Sequence, residues 1–201
     1  MKKKVVITII VGIILFFVIS GIILFSVLGL FIIGVATSSN STNANVITTN
    51  SNVTGTITVS TKEEKEHAKM VVDTFFNALE NKDSQAIKGL FSQYAKDNTY
   101  DLDGKINKLI SFYPGADGGY ESSSISSEDN DYGTKSQALE LVLTIKNQGS
   151  KYEIKIGMYI RNDFDSSKVG VHFIEVLVEE NAPSSFKWKS IDDAPGLYFT
   201  I

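Results

Sequence analysis

Hydrophobic and polar positions divide this chain into three stretches with different periods. Residues 5–36 run for 32 positions without a charge, after Lys2, Lys3 and Lys4 and before a polar tract. A bilayer core about 30 Å thick takes ~20 apolar residues as a helix, whereas a secretory signal has an apolar region of only about 7–15. The run therefore predicts a transmembrane anchor over 5–36, with excess length taken up by tilt or by continuation past the interface. No charge of either sign occurs from Val5 to Thr61, so the lysines place residues 1–4 in the cytoplasm and the rest of the chain outside. Gly34-Val35-Ala36 also fits a small-x-small cleavage site, which leaves a removed signal as the rival reading. Residues 37–61 hold 18 Ser, Thr or Asn among 25 positions. Such a segment buries little apolar surface and predicts a disordered tether.

From Thr61 the apolar period becomes helical. Thr61-Lys62-Glu63-Glu64 is a capping box, and Ala68, Val71, Val72, Phe75, Phe76 and Leu79 form one stripe. Asp83 caps a second helix carrying Ile87, Leu90, Phe91 and Tyr94. A third, over 102–113, carries Ile106, Leu109, Ile110 and Phe112, and ends at Tyr113-Pro114-Gly115. The period then falls to two. Residues 120–127 predict a weak, serine-rich strand. Leu139 to Lys146 and Lys151 to Arg161 predict two long strands with one buried face each, joined by a turn at Asn147-Gln148-Gly149-Ser150. Further strands are expected over 169–179 and 197–201. Helices followed by consecutive antiparallel strands give an α+β domain over 62–201, with three N-terminal helices packed on an antiparallel sheet of four or five strands.

Composition narrows the chemistry. The chain has no cysteine, which excludes disulfides, thiolate catalysis, cysteine-ligated zinc and attachment of lipid through a cysteine. Beyond the three N-terminal lysines there are 16 Lys and Arg against 23 Asp and Glu. That balance argues against a nucleic-acid partner. No phosphate loop, nucleophile elbow or dinucleotide fingerprint appears, and two distant histidines do not make a zinc site. No cofactor is expected.

Phe75-Phe76-Asn77-Ala78-Leu79, Asp83 to Phe91, Leu102-Asp103, and Phe112-Tyr113-Pro114-Gly115 carry a family resemblance. Lys168-Val169-Gly170-Val171 and Trp188 with Pro195-Gly196-Leu197 extend it over about residues 65–201. The element order resembles the cone-shaped nuclear transport factor two-like, or cystatin-like, superfamily. The local sequence resembles a narrower family of unknown function found in Gram-positive surface lipoproteins. The resemblance implies a long helix lying in a curved sheet, and it brings no catalytic residues. This chain departs from that family in having a helical anchor where a lipidated cysteine is expected.

Candidate site residues are few. His172 is expected to share a strand face with Ile174, Val176 and Val178, where it is either a general base or a half-buried residue with one hydrogen bond. With Asp73, Phe76 and Tyr159 it makes a candidate ligand pocket in the cone. His67 reads as a solvated helix residue. Glu121, Glu128, Asp129 and Asp131 read as a solvated acidic loop without the ligand spacing of a calcium loop, and Asp163 and Asp165 read likewise. Tyr113 and Tyr120, either side of a glycine-rich turn, are the candidate interaction surface.

Together these features predict a single-pass cell-membrane protein whose extracytoplasmic domain is a non-catalytic binding or protein-interaction module. Its expected partners are the lipid bilayer, through residues 5–36, and a protein at the cell envelope. Two alternatives stand beside this: a scaffold component of a secretion or conjugation apparatus, and a pocket enzyme using Asp73 and His172.

Overall fold

A computed structural model describes residues 46–47, 53, 55–116 and 119–201. The predicted anchor over 5–36 and cytoplasmic segment 1–4 lie outside the described residues. Among the described residues no helix is long and apolar enough to cross a membrane.

The first helix, α1 (Lys62–Glu80), starts at the expected capping box: Glu64 N–H donates to Thr61 Oγ1, and Thr61 N–H donates back to the Glu64 carboxylate. Burial alone raises the Glu64 carboxyl, but hydrogen bonds from Thr61, Gln137, Ser126 and Ser60 more than offset it and hold it below its ordinary value. The cap thus also ties the helix start to the sheet. The expected second helix is two, α2 (Ser84–Leu90) and α3 (Gln93–Asn98). The break comes at Phe91-Ser92, where Ser92 N–H donates to Val171 O and its hydroxyl caps α3. A strand-edge contact replaces one helical turn. Helix α4 (Leu102–Phe112) follows.

The sheet among the described residues has seven strands in sequential order: β1 (Val46–Ile47), β2 (Gly55–Thr56), β3 (Tyr120–Asp131), β4 (Thr134–Asn147), β5 (Ser150–Asn162), β6 (Gly170–Val178) and β7 (Gly196–Thr200). It is mixed. β3 to β6 are antiparallel neighbours, while β2 pairs with β3 and β7 with β6 in parallel. The expectation of an antiparallel sheet of four or five strands is corrected on both counts. The short strands β1 and β2 before α1 add an edge that was not expected, and the expected C-terminal strand, β7, pairs in parallel with β6. The end of the stretch expected as a tether belongs to the domain, with Val53 and Ile57 buried in its core.

β3 runs four residues further than its apolar pattern suggests. The acidic segment expected as a loop is strand, closed by a two-residue turn in which Tyr132 and Gly133 have φ of 48° and 90°. Both positive angles match a type I′ hairpin turn.

One core lies between α1 and the inner sheet face. Phe75, Phe76, Ile87 and Ile106 meet Leu139, Leu141, Leu143, Ile145, Ile154, Ile156 and Ile174, all at most 2 % exposed. The outer face is crossed by a strap, residues 182–195, on its way from β6 to β7.

Candidate functional site

His172 owes its position to a bulge. Phe173 pairs with Gly157 and Val171 with Met158, so His172 is an extra residue on β6. The bulge breaks the period-two pattern. Val171, not His172, joins Ile174 and Val176 in the core, and the expected face assignment is corrected accordingly. His172 is 4 % exposed. Its ring stacks on Tyr94 with centroids 6.0 Å apart and meets Tyr159 edge-on at 5.8 Å. Nε2 lies 2.9 Å from the carbonyl oxygen of Asp193. A carbonyl only accepts, so Nε2 carries the proton, and Nδ1 is left as a buried acceptor without a partner. Burial is the main cause that pushes the His172 pKa down, and Lys168 adds to it.

Beside this ring a trio of charged side chains holds the strap. Lys155 pairs with Glu140 at 2.7 Å, with side chains 9 % and 15 % exposed. Lys155 Nζ also donates to Lys189 O at 2.6 Å. Glu175 accepts from Lys189 N–H at 2.7 Å, and Glu140 from Ile191 N–H at 2.7 Å. Desolvation pushes the Glu175 pKa up in spite of the Lys189 hydrogen bond. Glu140 and Lys155 read in the sequence as polar positions alternating with a buried strand face, and Glu175 carries no signal of its own. Their role was missed because the partners are backbone groups of a segment with no periodic signal.

The strap forms one wall of a cleft of about 320 Å³ on the outer face. Tyr159 and Ala138 lie in its lining, with Ser127 and Asp129 of β3, Phe164 and Lys168 of the β5–β6 connection, and Ile191 and Asp192 of the strap. Phe164 is 54 % exposed. Among the described residues no group of three or more His, Cys, Asp or Glu is arranged to hold a metal ion.

Asp73, Phe76, Tyr113 and Tyr120 gather elsewhere, under α1. Phe76 stacks on Tyr120 at 5.1 Å and lies 6.4 Å from Tyr113. Asp73 Oδ2 pairs with Lys69. Asp73 Oδ1 and both tyrosine hydroxyls are buried without partners. Burial, then the Asp73 charge, pushes the Tyr120 pKa up to about 12, and burial with Glu80 raises that of Tyr113 further. Tyr120 is 5 % exposed. The expectation of an exposed Tyr113/Tyr120 surface is therefore corrected: both rings close the core around Phe76. The exposed tyrosines are Tyr100 and Tyr132.

The four residues expected to share a pocket fall into two pairs. Tyr159 and His172 meet; Asp73 and Phe76 belong to the other cluster. Register gives the separation. Tyr120 is level with Ile145, Tyr152 and Val178 across the sheet. His172 is thus three strands across and six residues along from Tyr120, on the order of 24 Å at ~4.8 Å per strand and ~3.3 Å per residue. Asp73 sits with Tyr120 and cannot exchange a proton directly with His172.

Helices packed on a mixed sheet, with a mostly polar cleft on the outer face, define the class: an α+β domain whose polar clusters are built into its structure. A family model described as a domain of unknown function, DUF5104, matches residues 74–180, more than half of the chain. The chain belongs to that family. The match takes in Phe76, Tyr113 and Tyr120, and His172 with Tyr94 and Tyr159, and stops before the strap and β7. No curated protein matches the chain.

Proposed function

We propose that this protein is a membrane-anchored, extracytoplasmic binding module that carries out no catalysis. The observation that carries the reading is the division of its acid–base groups. Asp73 acts on Tyr120, which register places on the order of 24 Å from His172, and each group is tied to its own neighbour, Asp73 to Lys69 and His172 to the Asp193 carbonyl. A proton-transfer enzyme needs such groups within hydrogen-bond reach of one substrate. The features left facing solvent are a cleft lined by Tyr159 and Phe164 and the acidic hairpin of β3 and β4. Both suit recognition. The uncharged run over 5–36 supports the anchor, and the lysines before it support the orientation. The long helix α1 on the inner face supports a nuclear transport factor two-like fold of the kind found in Gram-positive surface lipoproteins, here with a helical anchor.

Absence of cysteine makes the test clean. Tyr132→Cys, at the fully exposed hairpin tip, is treated in intact cells with a membrane-impermeant maleimide. The reading predicts labelling without lysis and retention of the labelled chain in the washed membrane fraction. Labelling only after lysis would overturn the orientation, and release into the medium would overturn the anchor.

A further inference from the structure

We propose that the outer edge of β3 between Ile125 and Asp131 is a docking site for an extended basic segment of another protein, which adds a strand to the sheet. This rests on the binding reading above and names its surface.

β3 is bonded to β4 along its whole length, Tyr120 to Asp131. On its other edge the chain's own β2 covers only Tyr120 and Glu121. Beyond it, Ser122 and Ser124 hydroxyls donate to the carbonyl oxygens of Thr56 and Thr58. The chain then leaves the edge to begin α1. The molecule itself thus demonstrates that this edge accepts a strand.

From Ile125 onward this outer edge has no strand partner among the described residues, and every residue to Gly133 is exposed. The two-residue turn makes Asp131 and Thr134 a hydrogen-bonded pair, so alternate residues bond to β4. Ser126, Glu128 and Asn130 therefore direct their backbone N–H and C=O groups away from the sheet. Unpaired groups of this kind are the template for strand addition.

The side chains select the occupant. Ile125, Ser127, Asp129 and Asp131 share the outer face. Ile125 is 70 % exposed, and Asp129 and Asp131 take part in no ion pair among the described residues, whereas Glu128 pairs with Lys135 at 3.0 Å. An apolar residue would lie against Ile125, and Lys or Arg, four and six positions further, against Asp129 and Asp131. A second copy is disfavoured, because an antiparallel β3–β3 pair brings like charges opposite one another.

The test uses the full-length chain in zwitterionic nanodiscs and a fluorescent threonine-rich peptide carrying one valine and, four and six residues later, two lysines. Glu128→Pro removes an outward N–H without touching a β4 bond, and Asp129→Lys changes charge alone. Binding of the peptide is expected, weakened about ten-fold or more by Glu128→Pro and by N-methylation of the peptide backbone. Asp129→Lys should shift preference toward a copy with glutamate in place of lysine. The proposal is overturned if the peptide does not bind, or if Glu128→Pro and N-methylation leave affinity unchanged. It is also overturned if copies of the chain pair with one another through a contact that Glu128→Pro abolishes. Any of these results leaves the labelling outcome at Tyr132, and with it the reading of a surface-exposed module, to stand or fall separately.

Discussion

His172 donates its Nε2–H to the carbonyl oxygen of Asp193 at 2.9 Å, and this one bond sets what the histidine does. It fixes the tautomer, ties the strap to the β6 bulge, and leaves Nδ1 buried among Tyr94, Tyr159 and Phe173. The groups facing the ring from other elements are Lys168, which disfavours its charge, and Asp192, which favours it less strongly.

The neutral ring has a stability consequence with a definite sign. The folded pKa lies below the ordinary 6.5, chiefly by desolvation. The unfolded chain therefore binds the proton first as pH falls. Stability from this site is complete above about pH 6.5 and declines below it until the folded pKa is reached. Denaturant titrations of the full chain between about pH 7 and pH 5 should show this decline, and His172→Gln should flatten it. An equal decline in the variant would assign the effect to other groups.

Phe76 and Tyr120 predict opposite outcomes from one cluster. Phe76→Ala deletes a fully buried ring stacked on Tyr120 and should cost about 3–5 kcal/mol. Tyr120→Phe removes a buried hydroxyl that has no partner, and should be neutral or stabilising by up to ~1 kcal/mol. Loss of more than that on Tyr120→Phe, measured by urea unfolding, would mean the hydroxyl is hydrogen-bonded in solution.

Lys155 is the centre of the strap's attachment. Lys155→Met leaves Glu140 nearly buried without its cation, at a cost of about 3–5 kcal/mol. The strap should also become the first site of limited proteolysis, with cuts between Pro183 and Lys189. Protection of that segment in the variant would show that Phe186 and Trp188, whose rings lie 5.0 Å apart, hold it unaided.

Gly157 reports on the bulge. A Cβ placed there overlaps the Phe173 ring. Gly157→Ala should cost about 1–3 kcal/mol by overpacking, and the extra methyl should disturb the His172 ring, visible as a shift of its imidazole proton resonances. Unchanged resonances with unchanged stability would contradict the packing described.

How much of this was legible in the sequence follows from where each signal resides. The stripe from Ala68 to Leu79 and the alternation of Leu139 to Ile145 and Tyr152 to Met158 mark core faces directly, because each apolar residue reports its own burial. The capping box at Thr61 is local and was equally readable. The bulge at His172 was not, since one added residue depends on the register with Gly157 and Met158. The strap contacts of Glu140, Lys155 and Glu175 were hidden for a related reason: a buried charge with backbone partners has no sequence signal that sets it apart from a solvated one. Tyr113 and Tyr120 flank a glycine-rich turn that suggests exposure, yet the stacking partner that buries them, Phe76, lies some forty residues away.

The central claim is that this domain acts by binding through its outer cleft and β3 edge. The direct measurement places a photoactivatable cross-linker on single cysteines at Ile125, Phe164 and, as a control, Glu66 on α1, in the full-length chain in intact cells. The account predicts discrete adducts of one mass from Ile125 and Phe164 and none from Glu66. No adduct from either outer-face position, or the same adduct from all three, would contradict it.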